Sequence, residues 1–200
     1  MRQVTGRSSS SSESKASIRL ASGGRFFSIS TLGNLTSNED IVVCVDTARV
    51  TLIPQAMTTE ISAEEALSIT GQTICEDETA IYSQTVGNTV AAIAISSSCY
   101  QSLVSQLGRQ LSFTTPLLSI SHRGEQCLAL EIVDNICYLR LYYPTLKVAE
   151  AFEFTSNEEL VFYITNILTA SNTPTDIPIY IIGAKEQAKA LKKYYKVICE

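Results

Sequence analysis

Polar and apolar residues alternate along "SIRLAS" (residues 17 to 22) and "RFFSIS" (25 to 30), and Gly23 and Gly24 sit between the two runs. Period-two alternation around a glycine pair predicts a hairpin of two strands. "DIVVCVDTARVTLIP" follows, β-branched from Ile41 to Ile53 and stopped by Pro54. It predicts a long third strand, antiparallel to the hairpin, with an irregularity near Asp46 to Ala48. The pattern then turns helical. Ser62 with Glu65 three residues on forms a capping box that starts a short helix ending at Gly71. "TVAAIAIS" (89 to 96) has the length and apolar content of a buried strand, and "SSCYQSLVSQLG" after it spaces Leu103, Val104 and Leu107 as a helix does. "QLSFTT" predicts one more short strand before Pro116.

After the polar bridge "SHRGEQ" (121 to 126) the same order returns. "LALEIV" and "ICYLRLYY" flank Asp134 and Asn135, a pair that tolerates a type I′ turn and predicts a second hairpin. "LKVAEAFEFT" is a third strand. Ser156 and Glu159 repeat the capping box ahead of Leu160, Ile164 and Leu168 on one helical face. "IPIYIIG" predicts a buried strand closed by Gly183, "AKEQAKALKKYY" a helix, and "KVICE" a last strand. The chain thus reads as an α/β protein of mixed sheets, two βββαβαβ halves in tandem. Residues 1 to 16 form a serine-rich disordered tail, 17 to 120 the first half and 127 to 200 the second.

Composition narrows the function classes. Apolar residues are 45% of the chain and charged residues 18%, the balance of a folded globule. The longest apolar runs are far too short to span a bilayer, and the polar N-terminus lacks the apolar core of a secretory signal, so a cytoplasmic protein with no membrane partner is expected. A net charge of −5 with both signs scattered argues against nucleic acid as a partner. Lys185, Lys189, Lys192, Lys193 and Lys196 gather on the last helix as its solvated face, or as a contact for an anion or acidic partner.

The six cysteines show no CxxC pair, and none stands at zinc-site spacing from His122, so no metal site is expected. Cys44, Cys127, Cys137 and Cys199 lie in or beside strand-like runs and read as reduced core thiols. Cys99, at the start of a helix behind three serines, sits where backbone N–H groups lower a thiol pKa, but no base accompanies it.

The duplicated order resembles the ribonuclease H-like module, and two such modules facing across a cleft resemble the actin-like ATPase fold. The wording of the chain carries a closer likeness. "SIRLASGGRFFSIS", "TARVTLIP", "LALEIVDNICYLRLYYP", "EELVFYITNIL" and the run from "PIYIIG" to "KKYYKV" are similar to a family of Bacteroidetes proteins, a domain of unknown function with an actin-like fold.

In nucleotide-hydrolysing proteins of that fold the first hairpin carries D-x-G-[ST], whose carboxylate organises hydrated magnesium while glycine lets the backbone wrap the phosphates. Here no Asp or Glu stands between Ser14 and Asn38. The resemblance implies Gly23, Gly24, Glu131 and Gly183 as cofactor-binding residues should ATP bind, with Arg19 or Arg25 supplying charge to phosphate. Val133 and Asn135 crowd the second turn, and Gly183 is followed by Ala184 where a second glycine would help adenosine pack. A two-metal nuclease would need the same missing first-strand carboxylate. No catalytic residue is assigned. The expectation is a non-catalytic binding or scaffolding protein with no cofactor, an unknown protein partner and a possible homodimer. The alternative is a nucleotide-binding protein or weak ATPase, with ATP as cofactor, that uses the cleft between the two halves.

Overall fold

A computed structural model describes residues 16–24, 40–108, 111–120 and 124–199. "RFFSIS", Arg25, His122 and most of the serine-rich tail lie outside the described residues.

The C-terminal part follows the expected order. β7 (Cys127–Val133), β8 (Ile136–Tyr142) and β9 (Leu146–Glu153) form an antiparallel meander. α4 (Asn157–Ala170) leads to β10 (Ile179–Ile182), and α5 (Lys185–Leu191) leads to β11 (Val197–Cys199). Both later strands run parallel to β7, giving the sheet order β11-β10-β7-β8-β9. Parallel strands need such helical crossovers, and the apolar faces of α4 and α5 cover one side of the sheet. Leu160, Ile164 and Leu168 of α4, with Ala188 and Leu191 of α5, pack on Leu128, Leu130, Leu139 and Leu141. Each fully buried leucine or isoleucine there contributes roughly 1.5–3 kcal/mol.

Two local details depart from expectation. Asp134 takes a positive φ of 52° while Asn135 does not, so the β7–β8 turn is not type I′; a short polar side chain tolerates the left-handed region at one position. Ser156 caps α4 by accepting from the Glu159 N–H, but the Glu159 carboxylate accepts from Thr155 rather than completing the box.

The N-terminal part differs more. β1 (Ala16–Leu20) enters a one-turn helix at Ala21–Gly24, and β2 (Ile41–Val45) pairs with it in parallel, not antiparallel. β2 in turn pairs in parallel with β6 (Leu111–Thr114). The expected third strand is therefore two strands. The ladder ends when Asp46 donates its N–H to the Leu20 carbonyl and its carbonyl accepts from the Gly23 N–H. The chain then bends through Thr47 to Arg49, and β3 (Val50–Pro54) joins a second sheet.

That sheet has the order β3-β5-β4, with β5 (Thr89–Ser96) antiparallel to both neighbours. β4 (Glu78–Tyr82) has no counterpart in the sequence reading, because "ETAIY" lacks a clear alternation. A 3-10 helix (Gln55–Thr59) follows β3, α1 (Ala63–Ile69) has its complete capping box, and α2 (Ser97–Leu107) and the short α3 (Pro116–Ser119) complete the described elements. Alternation along β5 divides the interior. Ala91, Ile93 and Ile95 join a central core with Ala129, Ile136 and Tyr138 from the five-stranded sheet, whereas Val90, Ala92 and Ala94 pack under α1.

Candidate functional site

Period two sends Leu128, Leu130 and Ile132 of β7 toward the helices, so Glu131 points to the other side, where the end of β1 lies. Arg19 meets it there. The Arg19 Nε donates to Asp46 Oδ1 and Oδ2 at 3.1 and 2.8 Å, and Nη2 donates to Glu131 Oε1 at 3.1 Å. One guanidinium thus ties β1 to the end of β2 and to β7. The Asp46 side chain is 3% exposed and that of Glu131 17%, while Arg19 keeps 48%.

Burial pushes the Asp46 carboxyl above the usual carboxylate range, and the Arg19 guanidinium pulls against it; Glu131 and Asp134 add a smaller upward push. The hydrogen bond to Asp46 holds Arg19 protonated well above its ordinary value. Burial also lifts the neighbouring Cys44 thiol to about 11. Tyr138 is fully buried beside this group, its hydroxyl near the Thr47 N–H without a well-formed hydrogen bond.

The glycine pair lies close by. Gly23 and Gly24 have φ of +64° and +84°. A Cβ on Gly24 would come within 2.7 Å of Cys99 Sγ, and one on Gly23 within 3.7 Å of the Ala94 carbonyl. Gly183 has a φ of +86°, and a Cβ there would stand 3.2 Å from the Ile132 carbonyl. A cleft of about 420 Å³ opens beside it, lined by Ile132, Asp134 and residues 183–187. The structure places Glu131 in contact with Arg19, whereas Gly183 belongs to this neighbouring cleft.

The model of a family described as "Protein of unknown function (DUF3822)" matches residues 25–198. The chain belongs to the DUF3822 family. A crystal structure of a Bacteroides thetaiotaomicron protein with an actin-like ATPase fold and unknown function superposes on this DUF3822 chain with a TM-score of 0.71 at 16% identity. The match covers 94% of this chain and 91% of that one, so the fold is that of the actin-like ATPases. The cytoplasmic domain of EpsL, an inner membrane component of the type II secretion system of Vibrio cholerae, gives a TM-score of 0.42 at 13% identity over 72% of this chain and 61% of that one. An AlfA filament bound to AMPPNP gives 0.38 at 13% identity over 80% and 51%. The comparison with curated proteins finds no match.

Cys99 of the DUF3822 chain does not gain acidity from its helix: burial pushes its thiol up to about 11. Cys127 and Cys137 are buried as expected, but Cys44 is half-buried and Cys199 is exposed on the edge strand β11, too short and peripheral to cover it. Among the described residues no three His, Cys, Asp or Glu side chains are grouped to hold a metal ion, and no helix is long and apolar enough to cross a membrane.

Proposed function

We propose that this DUF3822 protein is a binding or scaffolding protein whose cleft does not hydrolyse ATP. The observation that carries this reading is the Arg19 guanidinium held between Asp46 and Glu131. A resident cation there neutralises carboxylates that would otherwise be available to organise hydrated magnesium, and these residues are a poor match for a metal–nucleotide complex. Four carboxylates, of Asp46, Glu131, Asp134 and Glu186, face two cations, Arg19 and Lys185, around the cleft and the ion-pair group, a field that repels polyphosphate. The glycines have structural occupations. A side chain on Gly24 would collide with Cys99, and one on Gly183 would crowd the β7 backbone. The Gly23–Gly24 turn is on this reading a corner of the fold.

The test is phosphate release from ATP and magnesium by the purified chain, beside the Arg19→Ala variant. We expect background turnover from both. Turnover by the wild type that Arg19→Ala abolishes would make Arg19 a substrate ligand and end the non-catalytic reading.

A further inference from the structure

The chain separates its charges in space. Five of its seven lysines, Lys185, Lys189, Lys192, Lys193 and Lys196, fall on α5 and the turn after it. All five are exposed, and none forms an ion pair among the described residues. Residues 50–108, in contrast, contain six acids and not one Lys or Arg. Glu60, Glu64, Glu65, Glu76 and Asp77 are exposed there, while Glu78 is buried against Arg49. These acids cluster at the start of α1 and in the loop between α1 and β4.

The two poles lie on opposite sides of the molecule. α1 packs on the Val90, Ala92 and Ala94 face of β5, whose other face enters the central core. α5 packs on the Leu128 and Leu130 side of β7, whose other side enters the same core through Ala129. The helices therefore sit on the far sides of two sheets whose inner faces meet, and the poles do not neutralise each other within one molecule. Each pole also carries an exposed apolar side chain. The two most exposed large hydrophobic residues among those described are Ile69, at the end of α1, and Tyr194, inside the lysine segment.

We infer that a second copy of this chain joins the poles, the lysine face of one molecule docking on the acidic α1 end of the next. Opposite charge steers the encounter, and Tyr194 against Ile69 gives the contact an apolar centre. The two surfaces differ, so the contact is head to tail and leaves one pole free at each end; mass then grows with concentration beyond a dimer. Of the five lysines only Lys185 also lines the cleft, and the substitutions below leave it in place, so failure of this inference leaves the non-catalytic reading standing.

The test is light scattering at about 0.02 M and about 0.3 M salt, where the screening length falls several-fold. Self-association at low salt that weakens at least tenfold at high salt is expected. Lys189→Gln/Lys192→Gln/Lys193→Gln loses the donor pole and Glu60→Gln/Glu64→Gln/Glu76→Gln the acceptor pole; Glu65 is left intact because it caps α1. Each variant alone should be monomeric with an unchanged thermal melt, and the two mixed should form a 1:1 pair and nothing larger. A monomeric wild type at low salt, association indifferent to salt or to the substitutions, or a mixture that stays monomeric would each overturn the inference. So would a wild type that stays monomeric and instead binds a single-stranded nucleic acid through the lysine face.

Discussion

Replacing Arg19 by Met is the perturbation that tests the ion-pair group in most depth. The substitution keeps the stem and removes the guanidinium, leaving the Asp46 carboxylate, 3% exposed, without its charged donor. Breaking a buried pair from one side costs about 3–5 kcal/mol. Arg19 is half in solvent, and water reaches Asp46 once the guanidinium is gone, so a loss of about 2–3 kcal/mol is the better expectation here. The pH dependence has a definite sign. Without Arg19, burial acts on Asp46 unopposed, helped by the Glu131 and Asp134 carboxylates, and raises its folded pKa further above the unfolded value. The folded state then binds more protons than the unfolded state between the two values, so stability falls as pH rises through that window and recovers on acidification. The loss in Arg19→Met should shrink between about pH 7 and about pH 5, and Asp46→Asn should repair most of it, leaving the double variant within about 1 kcal/mol of wild type. Urea unfolding of the four proteins of this cycle at both pH values is the assay. A loss below about 0.5 kcal/mol, or one that neither acid nor Asp46→Asn repairs, would refute the reasoning.

Other consequences are independent of that cycle. Gly24→Ala should cost about 1–3 kcal/mol in a denaturant melt, since it combines a φ of +84° with a Cβ 2.7 Å from Cys99 Sγ, and a neutral result would remove the corner reading. Glu65→Ala should lower the thermal midpoint through loss of the Ser62 N–H contact that closes the capping box, and an unchanged midpoint would show that the box does not hold the start of α1. A thiol reagent at neutral pH should label the exposed Cys75 and Cys199 first, whereas Cys99, Cys127 and Cys137 should react only on unfolding; early labelling of Cys99 would contradict its burial.

The C-terminal order was legible because its signals are local: the capping Ser156, a turn at Asp134, and apolar runs of strand length at 128 and 179. The N-terminal part was less so, for a physical reason. A β-branched run from Ile41 to Ile53 has the same composition whether it is one strand or two, and only the buried Asp46, held by a residue 27 positions away, breaks it. Strand direction is equally non-local. Nothing within Ile41–Val45 distinguishes a parallel partner from an antiparallel one, since the ladder to β1 is set by tertiary pairing.

At the site the glycines were visible and the ion pair was not. Arg19 fits an alternating strand and Glu131 is an acid inside a strand-like run, yet their contact spans 112 positions. The available signal was the lone acid inside an otherwise apolar run. Asp46 marked an irregularity in the strand, and a buried carboxylate requires a partner.

Calorimetric titration of ATP with magnesium into the purified wild-type chain asks whether the Arg19 bridge keeps a metal–nucleotide complex out. No heat of binding is the result expected from a cleft in which Arg19 already neutralises Asp46 and Glu131. Binding at micromolar affinity that requires magnesium would contradict it, for the carboxylates would then have to leave the guanidinium for the metal.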